Sequence, residues 1–455
     1  MAITLTAVLT VAMLGQPQTY VLLSEENVWD VAVEDINGDG VRDIFAAACD
    51  ETSHPLRKYV GVYPGAEDAA YGRHPAFQME LDPAASTLFF AETDGAPPRE
   101  LVAADAYGAT VYGYESGAFR KRTRCEFHSL WPSFAREPVF VRDAAKDLNG
   151  DGVEEWLVPV ATGFEVRTAE GLAAEVHCDV MSETDTHEDG ATYIIHRLPA
   201  YHFFESEPVT GLAFLSDDFA DFAWGDGWTQ RERFEIPLDL EEKWDATTRM
   251  ADISNNGFPD LLVTQTSGTV RVQALTHVYV AEAPFKYPQE PTGTFHLKGA
   301  IASPIFKDVD GDGCKDIVLV SVSFGVRNVI NFFVRGKLTV GVDMYCFNGT
   351  DFGDEPAYHT NLTMDAPDGR QRVAYVMGDF NGDGRLDAAF GQNNDRLDVH
   401  TGEEGRFVSR RPWVSVEVPS HGTARACKLN ENGASDIVLF HAGGSHSKRV
   451  DVLVF

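Results

Sequence analysis

The chain has 455 residues, of which 44% are hydrophobic, and it carries 70 acidic against 37 basic side chains, for a formal net charge of −33. Such an acidic surface disfavours nucleic acid, because binding to phosphates depends on their neutralisation by Lys and Arg. It also disfavours anionic membranes, so we expect neither a nucleic-acid partner nor membrane insertion.

The N-terminal stretch MAITLTAVLTVAMLGQPQ is apolar for most of its length. An apolar run of about 13 residues is typical of a signal-peptide core and is too short to span a bilayer. We interpret residues 1–17 as a signal peptide and residues 18–455 as a single domain, which predicts an extracellular or periplasmic protein. The alternative is that the stretch forms a hydrophobic N-terminal strand.

A loop rich in Asp and Gly recurs along the chain. Four copies fit the pattern Asp-x-Asp/Asn-x-Asp-Gly-x-x-Asp/Glu: DINGDGVRD (35–43), DLNGDGVEE (147–155), DVDGDGCKD (308–316) and DFNGDGRLD (379–387). Three copies are weaker: ETDGAPPRE (92–100), DISNNGFPD (252–260) and KLNENGASD (428–436). The starts of the seven copies lie 57, 55, 105, 56, 71 and 49 residues apart. A repeat of this length predicts a propeller, a solenoid or an array.

Short apolar runs lie on both sides of these loops. VWDVAVE precedes the first loop and DIFAAA follows it, and SPIFK and DIVLVS flank the third full copy in the same way. Runs of this length bounded by Gly and polar residues are typical of strands. Each loop is therefore expected to join two strands as a hairpin, and four strands in roughly 55 residues indicate a β-propeller blade.

The number of blades follows from the number of loops. Seven loops favour seven four-stranded antiparallel blades in an all-β propeller. Eight are also compatible, because the 105-residue step has room for a blade without a loop. The segment GLAFLSDDFADFAWGDG (211–227) resembles strand, turn and strand, whereas residues 180–210 could instead be an insertion. The last repeat lacks an outer strand, which TYVLLS (19–24) could supply and so close the ring.

Crowded carboxylates in the loops point to a cation. Three or four like charges within nine residues repel one another unless an ion neutralises them, and Ca²⁺ accepts six to eight oxygen ligands in a flexible shell. The alternative is a polar Asp/Gly turn, which the same residues form. The predicted ligands are side-chain oxygens plus one backbone carbonyl, from residue seven of each loop. In the full loops they are Asp35, Asn37, Asp39, Val41 and Asp43; Asp147, Asn149, Asp151, Val153 and Glu155; Asp308, Asp310, Asp312, Cys314 and Asp316; and Asp379, Asn381, Asp383, Arg385 and Asp387.

The weaker loops depart from this ligand set. Asp252, Asn256 and Asp260 could hold a fifth ion with lower affinity, since the loop carries less charge. Lys428 stands where the first Asp should be, and its ammonium could take the place of the metal and pair with Asp436. Two prolines interrupt the loop at 92–100, which predicts a plain turn. We therefore expect about four Ca²⁺ ions, with a fifth as an alternative.

The repeated motif resembles the FG-GAP repeat, also called the VCBS repeat. Its signature is a strand, then D-x-[DN]-x-D-G-x-x-D, then an apolar strand, and VMGDFNGDGRLDAAFG (376–391) is a close match. The resemblance extends from about Val28 to the C-terminus. It is similar to the propeller head of integrin α chains and to many secreted bacterial proteins. The resemblance implies a β-propeller with Ca²⁺ in its hairpin loops, and it implies no single activity.

Motifs that would identify an enzyme are absent from the sequence. There is no Walker loop, no G-x-S-x-G and no H-E-x-x-H. The six cysteines are scattered without a CxxC pair, which leaves disulfide pairing and isolated thiols both open. Trp224 and Trp228 in WGDGW offer rings that could stack on sugars, or they could be buried in blade packing.

The first functional hypothesis is a non-enzymatic, monomeric binding module for an unknown protein or glycan, with Ca²⁺ in a structural role. The alternative is a polysaccharide lyase or hydrolase on a Ca²⁺-bearing propeller. Lys, Arg, His or Tyr side chains converging at one mouth of the central channel would favour this alternative. A third hypothesis is a periplasmic assembly protein, which co-purifying partners would reveal.

Overall fold

The computed structural model describes residues 15–66, 69–186, 192–206, 209–237, 245–268, 272–301, 304–309, 312–322, 336–365, 373–392, 394–403 and 407–455. Within these ranges eight antiparallel sheets follow one another along the chain, each with the strand order of a four-stranded meander. The all-β propeller predicted from the repeat is therefore confirmed.

We number the sheets as blades 1 to 8 in the order of their first strands. Blade 1 comprises Asn27–Glu34, Asp43–Asp50, Arg57–Tyr63 and Phe77–Glu80. Blade 2 comprises Thr87–Ala91, Glu100–Asp105, Gly108–Glu115 and Ala118–Glu126. Blade 3 comprises Ala145–Lys146, Glu155–Val160, Gly163–Thr168 and Gly171–His177. Blade 4 comprises Ala200–Ser206, Val209–Leu215, Phe219–Trp224 and Gln230–Glu235.

The second half repeats this plan. Blade 5 comprises Asp245–Ala251, Asp260–Ser267, Gln273–Tyr279 and Gly293–Lys298. Blade 6 has a first strand in two pieces, Ala300–Ile301 and Ile305–Lys307, then Asp316–Val322, Lys337–Tyr345 and Tyr358–Asp365. Blade 7 comprises Tyr375–Gly378, Asp387–Gln392, Arg396–His400 and Val414–Glu417. Blade 8 comprises Thr423–Cys427, Asp436–Phe440, Arg449–Val454 and Gln18–Leu23.

Burial within a blade decreases from the second strand outward. Asp43–Asp50 is buried at every position but the last, and Asp436–Phe440 is buried throughout. These strands pack against neighbouring blades on both faces, which explains why they read as continuous apolar runs rather than as an alternating pattern. The outer strand Ala118–Glu126, by contrast, exposes four consecutive residues, of which three are basic. The hydrophobic core is accordingly divided among the contacts between blades, as in other repeat architectures.

The N-terminal strand closes the ring. Gln18–Leu23 pairs antiparallel with Arg449–Val454, from Gln18 opposite Val454 to Leu23 opposite Arg449. Leu22 in this strand is fully buried in the core that blades 1 and 8 share. The predicted closure is thus confirmed, and the edge of blade 8 that would otherwise remain open is paired.

The preferred count of seven blades is wrong by one, and the alternative count of eight is correct. Blade 4 has no Asp-rich loop, and its two middle strands, Val209–Leu215 and Phe219–Trp224, fall in the segment that resembles strand, turn and strand. An insertion is present as well, because Met181–Thr186 and Thr192–Arg197 form a separate two-stranded hairpin before blade 4. A count based on loops misses a blade whose first turn is short.

One further strand lies inside the ring. Val139–Phe140 pairs in parallel with Thr87–Ala91, the first strand of blade 2. The backbone N–H of Phe140 also donates a hydrogen bond of 2.8 Å to Oδ2 of Asp30 in blade 1. The connection between blades 2 and 3 is therefore anchored among the innermost strands rather than on the outside of the propeller.

Two further observations concern cysteines and membranes. All six cysteines lie in the described ranges and none of them forms a disulfide bond there. Among the described residues, no helix combines the length and the apolar character needed to cross a membrane.

Candidate functional sites

The seven Asp-rich loops occupy equivalent positions in their blades. Each loop joins the end of the first strand to the start of the second, as in blade 1, where residues 35–42 link Asn27–Glu34 to Asp43–Asp50. Strands flank every loop on both sides, so the predicted hairpins are confirmed. Because the blades share one strand order, the loops lie at the same end of each blade.

The first aspartate of a full loop holds the loop's own backbone. In blade 1, Oδ1 of Asp35 accepts a hydrogen bond from the N–H of Gly38 at 2.8 Å, and Oδ2 accepts one from Gly40 at 2.9 Å. Gly40 has φ of +85°, a conformation that glycine adopts at little cost. The equivalent residues Asp147, Asp308 and Asp379 also accept hydrogen bonds from loop N–H groups.

Residues three and five form short side-chain turns in the full loops of blades 1, 3 and 7. Oδ1 of Asn37 accepts a hydrogen bond from the N–H of Asp39 at 2.9 Å, and Oδ1 of Asp39 accepts one from Val41 at 2.8 Å. Asn149 and Asp151 repeat this pattern in blade 3, and Asn381 and Asp383 repeat it in blade 7. The side chains at positions one, three and five thus curl into a single compact turn.

The ninth residue of the loop differs from residues one, three and five, because its side chain is buried. Asp43 is 1% exposed; its Oδ2 accepts a hydrogen bond from the N–H of Ile36 at 3.1 Å, and its Oδ1 accepts one from Gly65 at 2.9 Å. It therefore ties the loop to the chain that leaves the third strand. A Cβ on Gly65 would lie 2.5 Å from the carbonyl oxygen of Arg42, so this close approach requires glycine. Burial raises the pKa of Asp43 to about 6, against the two hydrogen bonds, which lower it.

The acid at position nine makes the same two kinds of hydrogen bond in blades 5 to 8. Backbone N–H groups of the loop and of the chain just beyond the third strand donate hydrogen bonds to the acid at position nine in each of these blades, which is Asp260, Asp316, Asp387 or Asp436. In blade 3, Oε2 of Glu155 accepts from Leu148 and Oε1 from the Asn149 side chain. The sequence analysis predicted all of these carboxylates except Asp436 as calcium ligands, and it missed this structural role. One feature of the sequence pointed to this role: the acidic residue at position nine is present even in the loop at 428–436, where Lys428 replaces the first aspartate.

The donors of the full loops fit a calcium ion by type. Side chains and backbone carbonyls supply oxygen alone, and every acidic position adds negative charge that a divalent cation would offset. Of the predicted ligands, Asp310 lies outside the described residues. The loop at 252–260 keeps the same backbone hydrogen bonds to Asp252 and Asp260, while the side-chain amide of Asn256 donates to the carbonyl of Ala281 at 2.9 Å. Asn256 therefore also has a structural partner.

Three carboxylates lie close together in the loop at 92–100, which the sequence analysis predicted to be a plain turn. In the described part of the chain, the one group of three acidic side chains with oxygens within 4.8 Å of one another is Glu92, Asp94 and Glu100. Arg122 enters this group from the outer strand of blade 2, and its Nη1 lies 2.5 Å from both Asp94 and Glu100. A guanidinium thus supplies the positive charge in this loop.

The loop at 428–436 corrects another expectation. Lys428 is exposed, and within the described ranges it forms no ion pair with Asp436. Both oxygens of Asp436 already accept backbone hydrogen bonds, from Leu429 at 2.7 Å and Phe455 at 3.0 Å. Because backbone hydrogen bonds already satisfy the carboxylate of Asp436, Lys428 does not pair with it.

A pocket of about 640 Å³ opens between blades 3 and 4, next to the loop at 147–155. Trp224 and Trp228 line it together with Asn149, Glu155 and Gln230. Trp224 packs against Phe285 with ring centroids 4.5 Å apart. Trp228 has φ of +58°, which a bulky residue adopts only when the surroundings impose it, and such strain concentrates at ligand-binding positions.

Two further pockets, of about 290 and 530 Å³, lie along the innermost strands and are open to solvent. Arg142 and Arg425 line both of them, and Tyr375 lines the larger one. Sequence analysis did not single out any of these three residues. No local motif marks them, because they come from blades 7 and 8 and from the connection between blades 2 and 3.

This architecture defines the chain as an eight-bladed β-propeller. No family model matches the sequence, and no curated protein matches it. Among solved structures it is similar to an Agrocybe aegerita lectin that recognises non-reducing terminal N-acetylglucosamine, with 12% identity over 96% of this chain and 99% of the lectin and a TM-score of 0.44.

It is also similar to the WD40 domain of SCAP from fission yeast, with 8% identity over 96% and 94% of the two chains and a TM-score of 0.44. The Dos1 propeller has 9% identity over 96% and 94% and a TM-score of 0.34. At such identities the likeness concerns the fold alone, which the eight sheets already define.

Proposed function

We propose that this protein is an exported, calcium-stabilised propeller of the FG-GAP type that acts as a glycan-binding module. The observation that carries the proposal is the pocket between blades 3 and 4, which two tryptophans and several polar side chains line beside a predicted calcium loop. A rigid ring of blades with a preformed pocket is a scaffold suited to recognition.

The lining of this pocket matches the chemistry of a sugar. A sugar ring has apolar C–H faces that pack on aromatic rings, and hydroxyls around its edge that need hydrogen-bond partners. Trp224 and Trp228 supply the rings. Gln230 and Thr210 supply donors and acceptors, while Asn149 and Glu155, which are hydrogen-bonded within the loop, form part of the wall. The volume of about 640 Å³ lies in the usual range for ligand sites.

Calcium has a structural role in this proposal. Asp147, Asn149, Asp151 and Glu155 would hold the ion with the carbonyl of Val153, and the ion would offset their crowded charge. Because Asn149 and Glu155 also line the pocket, fixing the loop fixes one wall of the binding site. Removing calcium should then weaken ligand binding as well as stability.

A glycan array with and without calcium tests the proposal, with Trp228→Ala as the diagnostic variant. We expect the wild type to retain a defined set of glycans in millimolar Ca²⁺, and Trp228→Ala to lose at least tenfold in affinity for them. Trp413→Ala is the matched control, because Trp413 is 39% exposed on blade 7, away from the pocket. Unchanged glycan binding by Trp228→Ala, or no glycan bound by the wild type, would contradict the proposal.

A further inference from the structure

Three of the 14 histidines lie together where the ring closes, and the function proposed above does not involve them. His421 precedes the first strand of blade 8, and His441 and His446 lie in the turn at 441–448, between the second and third strands of that blade. The ring centroids of His421 lie 5.3 Å from those of His441 and 5.4 Å from those of His446. The centroids of His441 and His446 are 5.6 Å apart, so the three titratable rings all contact one another.

His441 is the most deeply buried of the three, and both of its ring nitrogens have hydrogen-bond partners. Its Nδ1 contacts the backbone carbonyl of His421, and its Nε2 lies 3.2 Å from Oδ2 of Asp451. The side chains of His441 and Asp451 are both fully buried. The guanidinium of Arg449 donates to the same carboxylate, with Nη2 at 2.6 Å from Oδ1. A proton on either nitrogen of His441 therefore meets an acceptor.

His421 has no comparable partners. Both of its ring nitrogens are buried, and in the described part of the chain neither of them has a hydrogen-bond partner. Burying an unpaired charge costs much more than burying a neutral polar group, so the fold favours the neutral imidazole. Burial lowers the pKa of His421, and charge on His441 and His446 lowers it further. Burial also lowers the pKa of His446, with a contribution from the neighbouring Arg449.

The charged groups around the cluster provide no counter-charge for His421. The charges that act on it are those of His441 and His446, which have the same sign as its own. Asp451 forms an ion pair with Arg449, and it is the carboxylate that already lies against His441. The charged side chains of the elements packed around the cluster are Arg449 and Asp451 of the third strand, Lys448 of the turn, Glu25 and Glu26 before blade 1, and Arg136 beyond the ring of Trp29.

The turn at 441–448 also holds blade 8 to blade 1. The N–H of Val28 donates to the carbonyl of Ser447 at 2.7 Å, and the hydroxyl of Ser447 donates to Oδ1 of Asn27 at 2.8 Å. The N–H of Ser24 donates to the carbonyl of Lys448 at 2.9 Å. Because the same turn covers the histidines and makes these contacts, moving it to bring water to the cluster breaks the seam between blades 8 and 1.

We propose that protonation of His421 at acidic pH displaces the turn at 441–448 and loosens the seam between blades 8 and 1. An imidazolium at His421 has two buried N–H groups without acceptors, and it gains water as a partner once the turn moves away. Since the folded protein binds this proton less readily than the unfolded chain, the stability of the seam is present above about pH 6.5 and is lost as the pH falls. The inference concerns ring closure and does not depend on the tryptophan pocket.

The test is hydrogen–deuterium exchange of the full chain in fixed Ca²⁺ at about pH 7.5 and about pH 5.5, with rates corrected for the intrinsic effect of pH. We expect the peptides that cover residues 24–30 and 441–449 to lose about tenfold in protection at the lower pH. A peptide that covers Phe219–Trp224 in blade 4 should keep its protection. His421→Phe should abolish the response, because its ring takes up no proton and the imidazole that it replaces makes no side-chain hydrogen bond in the described part of the chain.

His128→Phe is the matched control, because His128 is exposed in the connection between blades 2 and 3, and this variant should respond to pH as the wild type does. His421→Gln repeats the test with a smaller side chain and should also abolish the response. Equal protection of the wild type at the two pH values would overturn the proposal. So would an equal loss in blade 4, which indicates general acid unfolding, or a wild-type response in either His421 variant.

Discussion

The guanidinium of Arg425 lies 2.6 Å from the carboxylate of Asp30, an ion pair that links the last blade to the first. Asp30 is 5% exposed and also accepts hydrogen bonds from the N–H groups of Val31 and Phe140, both at 2.8 Å. One carboxylate thus joins blade 1, blade 8 and the inserted inner strand. The closure of the ring depends on this pair as well as on the N-terminal strand.

Removing the arginine should therefore destabilise the whole ring. Arg425→Met leaves Asp30 buried with its charge uncompensated, which we expect to cost about 3 kcal/mol in the free energy of unfolding. Urea denaturation measures this change. Arg120→Met, at a side chain that is 66% exposed, should cost less than about 0.5 kcal/mol. Similar stability of the two variants would show that the pair does not support closure.

The N-terminal strand provides a second test of closure. Leu22 is fully buried, whereas Gln18 in the same strand is exposed. We expect Leu22→Ala to lower the free energy of unfolding by about 3 kcal/mol through lost burial and the cavity left behind. Gln18→Ala should be nearly neutral. If both substitutions were neutral in chemical denaturation, the strand would not be part of the folded ring in solution.

Arg122 should behave as a substitute for a metal ion in blade 2. Glu100 is 2% exposed, so Arg122→Gln leaves a buried acid near two others without a positive charge. We expect a loss of about 2 kcal/mol in stability, the size of a hydrogen bond to a charged group. Millimolar Ca²⁺ should restore part of this loss in the variant. No calcium-dependent recovery in the melting temperature of Arg122→Gln, relative to wild type, would argue against the substitution.

Removal of calcium should lower the melting temperature of the wild type. An ion that binds the folded state alone stabilises it by about 2.7 kcal/mol per site when its concentration is a hundred times Kd. Asp379→Asn should reduce the calcium-induced rise in melting temperature, because it removes a charge from a full loop. Asn430→Ala, in the loop that begins with Lys428, should leave the rise intact. Identical melting curves in Ca²⁺ and in excess chelator would exclude structural calcium.

Asp436 should make stability depend on pH in a defined direction. Burial raises its pKa, while hydrogen bonds from Leu429 and Phe455 lower it. The folded protein therefore keeps the proton over a range in which the unfolded chain has lost it. This contribution stabilises the fold at acidic pH and is lost as the pH rises through the folded-state pKa.

Asp436→Asn removes this titration, since the amide has no charge at any pH. We expect the free energy of unfolding of the wild type minus that of the variant to fall as the pH rises from about 4 to 7. Denaturant titrations in chelator measure this difference without interference from bound metal. A difference that grows with pH would mean that the pKa of Asp436 is lowered in the folded state.

The sequence alone determined those features of the fold that depend on residues close to one another in the chain. The loops at 35–43 and 379–387 predicted hairpins, and the apolar runs beside them predicted buried second strands, because turn chemistry and strand burial are set by neighbouring residues. The same patterns predicted closure by residues 19–24. They failed at blade 4, where a short turn leaves no motif between the first two strands.

What only the tertiary structure decided is where distant residues meet. Arg142, Arg425 and Asp30 lie in three different segments of the chain, and nothing in their sequence neighbourhoods relates them. Likewise, the role of Asp43 in fixing the loop follows only from the hydrogen bond that its carboxylate accepts from the N–H of Gly65. Motifs record contacts among residues a few positions apart, whereas the channel and the closing ion pair arise from the arrangement of whole blades around a ring.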